Sequence, residues 1–489
     1  MLAYVVFGVY LLSLFAILVY SLAQGHLTFL YLRSKSVETE SPTLPEKLPR
    51  VTVQLPIFNE LYVVERLIRK VAEMDYPTDL LEIQVLDDST DECLEVSRRL
   101  VDEIAKAGID IKLVERPERT GFKAGALAYG LKKAQGDFIA IFDADFLPPK
   151  DFLLKTIPYF SNPEIGVVQT KWEHLNKNFN LLTRLLGMAL DAHFSIEQKG
   201  RNSNGDFMNF NGTAGVWRRD CIETSGGWSA ETLTEDLDLS YRAQLKGWKM
   251  KYLEEFTSPA EIPAFLSAIR SQQYRWNKGG AEVARKNLKT ILQSDFPFHV
   301  KFHALFHLLN TGIFICVFLS AIVSVPLLYF ISEGDIARTI LTYSGVFFIG
   351  FILLSGFYWV TLRQRNSNAF TTTINFIFYF PIFLSLSMGL SLFNTIAVIE
   401  GYLGVKSPFI RTPKFNIVGS ENRVKQNQYM RSKIPVIALF EGLLAVYFGI
   451  AVWYAWQHGL NPFIPYHLLL ALGFGGIAFY SVKHSVIRV

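Results

Sequence analysis

Little in this chain could staple it together covalently. Its 489 residues include three cysteines, Cys93, Cys221 and Cys316, odd in number, far apart and without zinc-type spacing. That excludes a disulfide framework and reads as reduced thiols in a cytosolic or membrane setting. Charge is also sparse: 19% of residues are charged and the formal balance is +4. Composition therefore gives no electrostatic footprint for a nucleic-acid partner, and none is expected. The first 32 residues hold no Lys, Arg, Asp or Glu at all. What is abundant is apolar: half the chain is hydrophobic and 14% is aromatic, high for a wholly soluble enzyme.

The amino-terminal run, residues 2–22, is long enough to cross a bilayer. A cleaved signal peptide is the rival reading, but it would carry a positive amino-terminal region and a small-residue cleavage site. Here Arg33 and Lys35 follow the run, which favours a retained helix over residues 1–35 and a cytoplasmic domain after it. Apolar runs return in residues 301–489, near 304–330, 338–361, 370–400, 434–456 and 461–482. Glu333 and Asp335 follow the first of these. Arg363, Arg365, the stretch from Arg423 to Lys433, Lys483 and Arg488 mark inside segments. Both ends of 370–400 then face inward, so that run is expected to be interfacial or re-entrant and broken near Pro381. Five true spans and a cytoplasmic carboxyl terminus follow. The expected site is the bacterial inner or plasma membrane, or the Golgi in a eukaryote.

Residues 48–260 alternate β-rich runs with helical patterns. Candidate strands are Val51–Leu55, Glu82–Leu86, Ile111–Val114, Phe138–Phe142 and Gly166–Gln169, with helix-like stretches at 61–73, 91–106 and 122–135. The alternation predicts a mostly parallel sheet with helical crossovers. Ligands of such sheets bind beyond the strand carboxyl ends. Asn59 and Glu60, Asp87 and Asp88, and Asp143 and Asp145 all fall there.

These acids carry the chemistry. In IAIFDADFLPP, Asp143 and Asp145 stand two residues apart and, if extended, point the same way. Paired carboxylates repel unless a cation lies between them, and Mg²⁺ takes one or two of them with substrate phosphates. A bare D-x-D is as easily a solvated turn. Asp87 is read as a ligand contact, with Asp88 or Ser89 capping the next helix. Lys123 lies between Gly121 and Gly125 near a helix start, where amides and a cation favour an anion. Thr234-Glu235-Asp236 opens a helix; Thr234 is a plausible cap, and Asp236 a plausible base for an acceptor hydroxyl. In Gln272-Gln273-Tyr274-Arg275-Trp276, Arg275 suits a diphosphate and Trp276 a sugar face. The surrounding basic residues of 261–300 equally suit anionic lipid headgroups.

In order, Asp87, Asp143/Asp145, Thr234–Asp236 and QQYRW resemble the D, D-x-D, T-E-D and Q-x-x-R-W motifs of membrane-integrated family 2 glycosyltransferases. VTVQLPIFNE, IQVLDDSTD, GFKAGAL, FNGTAGVWR and TEDLDLSYRA bring the likeness nearest to plant cellulose-synthase-like A and C proteins and their bacterial relatives. The resemblance implies an α/β GT-A fold, Rossmann-like, set in an α-helical transmembrane region, with inversion at the anomeric carbon and a β-linked product. It implies a nucleotide-sugar donor, UDP-glucose or GDP-mannose, with Mg²⁺ or Mn²⁺ as cofactor and a polysaccharide acceptor. By it, Pro56, Phe58, Glu60 and Asp87 border the nucleoside, Lys123 and Asp143 approach the diphosphate, and Asp145, with Asp143, holds the metal. Asp236 is the base, Glu235, Gln272 and Arg275 complete the catalytic set, and Trp276 marks the acceptor terminus. Asn211 and Gly212 match an acceptor loop in which cellulose synthases usually carry Cys at the position of Asn211. Phe409, Thr412 and Lys414 match the F-x-V-T-x-K gating loop, here 409–414, with Arg411 in place of Val. A plain basic juxtamembrane loop is the alternative there.

The expected function is a processive synthase that exports its product. Alternatives are a single-transfer enzyme with a lipid acceptor, similar to ceramide glucosyltransferase, and an inactive carbohydrate-binding scaffold. Donor base, linkage and protein partners are not legible in the sequence.

Overall fold

The computed structural model describes residues 1–34, 42–334, 344–365, 368–419 and 434–486. Lys35, Asp335, the stretch from Arg423 to Lys433 and Arg488, used above to orient the spans, lie outside them. The soluble part is a seven-stranded sheet in the order β3-β2-β1-β4-β6-β5-β7. Its strands are β1 (Val51–Ile57), β2 (Leu81–Asp87), β3 (Ile111–Val114), β4 (Phe138–Ile141), β5 (Ile165–His174), β6 (Gly215–Arg218) and β7 (Lys249–Ala260). All five expected strands are present. β6 and β7 were not anticipated. β6 runs antiparallel to both neighbours, while β1–β2, β1–β4, β2–β3 and β5–β7 pair in parallel.

Helices cover both faces, so β2 and β4 are buried throughout and β1 at all but Pro56, the polar Thr52, Gln54, Glu82 and Gln84 included. Val53, Leu55, Ile83 and Val85 pack with Val64, Leu67 and Ile68 on one side. Ile139 and Ile141 pack with Leu127, Phe210 and Trp217 on the other. Register is pinned by a buried polar pair as well. Thr52 lies opposite Glu82, and its Oγ1 donates to the carboxylate at 2.7 Å. A one-residue slip would strand that carboxylate in the core.

Among the described residues six helices are long and apolar enough to cross a membrane: Leu2–Ser34, Phe298–Glu333, Gly345–Gln364, Ala369–Gly389, Ile437–Gln457 and Asn461–Ser485. The chain is a membrane protein. The run near 370–400 is not broken at Pro381, contrary to expectation. Pro381 lies within one helix, Ala369–Gly389, and the chain turns only at Leu390 before a second helix, Ser391–Leu403. The carboxyl end of the first helix adjoins the α/β side, Leu390 packing on Leu182, Leu266 and Ile269, while near its start Thr373 accepts from the Trp359 indole of the preceding helix.

Two ion pairs, one of them buried on both sides, weld the helix Leu266–Gln293, which carries QQYRW, to this apolar region. Arg270 grips Glu441 with one nitrogen at 2.7 and 2.5 Å, and the fully buried Lys278 meets Glu400 at 3.2 Å.

Candidate active site

The strand ends open into a cleft with about 1250 Å³ of empty space, open solvent at its mouth included. Pro56, Phe58, Glu60, Lys123, Asp143, Asp145, Asn211, Gly212, Glu235, Asp236, Gln272, Arg275, Trp276, Phe409, Thr412 and Lys414 all line it. Of the residues picked from sequence, Asp87 alone does not. Its carboxylate turns inward, Oδ1 accepting from the Ser89 amide at 2.8 Å. Asp88 lines the cleft instead and is clasped by Arg116, whose Nε donates at 2.9 Å. Neither Asp88 nor Ser89 caps the helix Cys93–Lys106. Asp91 accepts from the Cys93 amide, and Ser89 Oγ accepts from Asn59.

Lys123 organises the centre. Gly121, at φ +70°, lets the chain turn left-handed into the helix Phe122–Leu131, so Lys123 projects from its first turn. Its ammonium donates to Asp143 Oδ1 at 2.6 Å and to the Gly212 carbonyl at 2.8 Å, with Glu235 at 4.0 Å. Desolvation opposes that charge, yet Asp143, Glu235 and Asp236 outweigh it and raise the Lys123 pKa.

Asp236 lies one residue into the helix Glu235–Leu245, and its Oδ1 accepts from the Leu237 amide at 2.8 Å. Thr234 sits at the amino-terminal cap position but makes no capping bond. Burial, then repulsion from Glu235, push the Asp236 carboxyl up to about 7, while Lys123 pulls it down. A base is most useful near working pH, so this environment suits proton abstraction.

The two acids of D-x-D do not converge as an extended segment would place them. The chain turns there, Phe146 N donating to Asp143 O at 3.0 Å. Each takes its own cation: Lys123 on Asp143, and Lys414 on Asp145 Oδ2 at 2.7 Å. Both are hard oxygen donors, the type a divalent ion shared with substrate phosphates takes, and each would trade its lysine for the ion. Among the described residues no three His, Cys, Asp or Glu side chains form a protein-only metal cage.

The 409–414 segment closes over this cleft. Phe409 stacks on Phe122 with centroids 5.4 Å apart, and Arg275 lies 4.9 Å from the Phe409 centroid and donates to Thr412 at 3.0 Å. Arg411 meets Glu60 at 3.0 Å, so the departure from Val supplies a cation partner. Burial nevertheless pushes Glu60 up to about 8, against the pull of Arg411 and Lys414. Glu261, just past β7, accepts from the Phe415 and Ile417 amides at 2.8 and 3.2 Å. Sequence reasoning passed over Glu261 and Arg119; the latter's guanidinium lies 3.3 Å over the Phe58 ring. An acid at a strand end was the available signal for Glu261.

Comparison with known proteins agrees with this geometry. A family model described as glycosyltransferase like family 2 matches residues 49–279. The chain is 34% identical over 474 residues to glucomannan 4-beta-mannosyltransferase 1 of Oryza sativa subsp. japonica, covering 92% of this chain and 85% of that one. It therefore belongs to the family 2 glycosyltransferases. Probable glucomannan 4-beta-mannosyltransferase 6 of the same plant is 44% identical over 261 residues, 52% of this chain and 46% of the relative, so this and similar matches span about half of the relatives' length. A mannosyltransferase from Pyrobaculum calidifontis, solved in complex with GDP-Man and Mn²⁺, covers 80% of this chain and all of that one at 19% identity and TM-score 0.52. That likeness is one of fold: the GT-A-like sheet.

Proposed function

We propose that the chain is an inverting hexosyltransferase. It moves a sugar from a nucleotide sugar, GDP-mannose in the first instance, onto the end of a β-1,4-linked polysaccharide, and passes the product through its membrane helices. The observation that carries the reading is the half-buried Asp236 beside Lys123 and Asp143 in one cleft. The match to a mannosyltransferase over 85% of its length supports the sugar and linkage.

The acceptor hydroxyl attacks the anomeric carbon on the face opposite the diphosphate, and its proton passes to a carboxylate oxygen of Asp236. The bond from the anomeric carbon to the diphosphate oxygen breaks, and the leaving group departs with the electron pair. Lys123 and Arg275 hold that growing negative charge, and charge-assisted contacts of this kind are the stronger hydrogen bonds. Asp145 and Asp143 would hold Mg²⁺ or Mn²⁺, which supplies further neutralisation of the diphosphate when bound. Trp276 faces the acceptor sugar, with Asn211 and Gly212 beside it. Phe409, Thr412 and Lys414 close over bound donor and exclude water, with Arg411 and Glu60 as a latch.

The catalytic domain faces the cytoplasm, five helices cross, and Ala369–Gly389 lies in the membrane plane. The packing of its carboxyl end, at Leu390, on Leu182, Leu266 and Ile269 supports that placement. The test is to supply purified full chain with GDP-mannose and UDP-glucose in turn, with Mg²⁺ or Mn²⁺, and to size the product. A β-1,4-mannan is expected. A single sugar extracted with lipid would sink the polymerase reading, and a preference for UDP-glucose would sink the donor.

A further inference from the structure

The wall of the cleft at Asn211 is wired to the first membrane helix by a buried polar chain. The helix beginning at Leu181 widens into a π-helical turn over Ala192–Glu197 before resuming at Gln198. Such wide turns recur at functional sites. Here the turn aims His193 and Glu197 at each other, with His193 Nδ1 and Glu197 Oε2 2.9 Å apart. The other carboxylate oxygen, Oε1, accepts from Gln24 Nε2 of the helix Leu2–Ser34 at 2.8 Å. Across the ring, His193 Nε2 lies 3.0 Å from Asn211 Nδ2. Asn211 Oδ1 accepts from Gln198 Nε2 at 2.7 Å.

One assignment satisfies every contact of this chain: Glu197 as a carboxylate only accepts, His193 carries its proton on Nδ1, and Nε2 accepts from the Asn211 amide. With Gln198 filling Oδ1, the orientation of Asn211 is fixed, and one amide N–H remains to face the cleft.

We infer that His193 and Glu197 are positioning residues of the acceptor subsite: they hold Asn211 so that it presents a hydrogen-bond donor to an acceptor-sugar oxygen, and Gln24 anchors them to the membrane helix. The inference rests on the proposed transferase reading, with Asn211 on the acceptor side. Donor binding, which uses Lys123, Arg275 and the β1–β2 end of the cleft, is independent of this chain.

The test uses the full chain in lipid nanodiscs with His193→Phe, Glu197→Gln and Gln24→Leu. β-1,4-Mannotetraose is varied at saturating GDP-mannose, and GDP affinity and acceptor-free donor hydrolysis are measured in parallel. Losing a hydrogen bond to a charged or buried partner should raise acceptor KM about tenfold in the first two variants, and by a few-fold in the third. GDP affinity and donor hydrolysis should stay at wild-type values, a split that a general packing defect would not give. Acceptor KM unchanged in His193→Phe and Glu197→Gln, or GDP affinity falling in step with it, overturns the inference and leaves the transferase reading intact. A wild-type chain that turns over no nucleotide sugar overturns both. If Glu197→Gln does not assemble, the other two variants decide.

Discussion

Gly212→Ala should disable catalysis with little effect on donor binding. Gly212 has φ +79°, where an L-residue costs roughly 1–2 kcal/mol. A Cβ built there would lie 2.8 Å from Asp236 Oδ2 and 3.3 Å from Lys123 Nζ. The first distance is closer than real Cβ atoms approach, so the Asp236 carboxylate must shift. That carboxylate is half-buried on the cleft wall and held by the Leu237 amide, so moving aside takes it out of this position. Misplacing a reacting group by ~1 Å costs about 10²-fold in rate. The partial displacement expected here should lower kcat by roughly 10- to 100-fold on the same scale. The backbone strain should also lower the thermal midpoint by a few degrees, at roughly 2–4 °C per kcal/mol. Initial rates with saturating donor and acceptor, isothermal titration with GDP and a melting curve in detergent measure the three effects. Wild-type kcat, or a loss confined to GDP affinity, would refute the placement of Asp236 as base against Gly212.

The pH profile gives a second check. Asp236 must be deprotonated to accept a proton, and its carboxyl is raised to about 7 by burial and Glu235. kcat/KM should therefore fall about tenfold per pH unit below neutrality. Lys123→Met removes the cation that pulls Asp236 down, so its acid limb should move to higher pH; a profile flat from about pH 5.5 to 7.5 contradicts the assignment. Arg270→Met would leave Glu441 buried without its partner and should destabilise by roughly 3–5 kcal/mol. Replacing both residues by Met should restore most of the melting midpoint, because two apolar side chains leave no orphaned charge. A double variant as unstable as the single one would show that the pair acts through something other than charge compensation.

The parallel half of the sheet was legible because β1 and β2 alternate Val, Ile and Leu with polar residues at period two and β4 is wholly apolar. β6 is four residues inside FNGTAGVWR, too short for a period to show, and β7 mixes Lys, Glu and Thr among its apolar positions. The helix Ala369–Gly389 was misread at Pro381 because a proline inside a helix can be absorbed by neighbouring packing in an apolar region. Motif order located Lys123, Asp143, Asp145, Asp236, Gln272 and Arg275 around one cleft. It did not resolve Asp87 from Asp88, since adjacent residues at a strand end point opposite ways and only the turn decides which faces the ligand. The contacts of Arg119 with Phe58 and of Glu197 with Gln24 join residues far apart in the chain, and no local pattern announces them.

The central claim is that Asp236 removes the acceptor proton. Asp236→Asn keeps the shape of the side chain and removes its basicity. Its most direct measurement is single-turnover sugar transfer from GDP-mannose, paired with GDP affinity, in the full-length membrane protein. Transfer should fall by at least about 10²-fold, the lower end of general-base contributions, while GDP binds as in the wild type. Transfer at the wild-type rate would contradict the account.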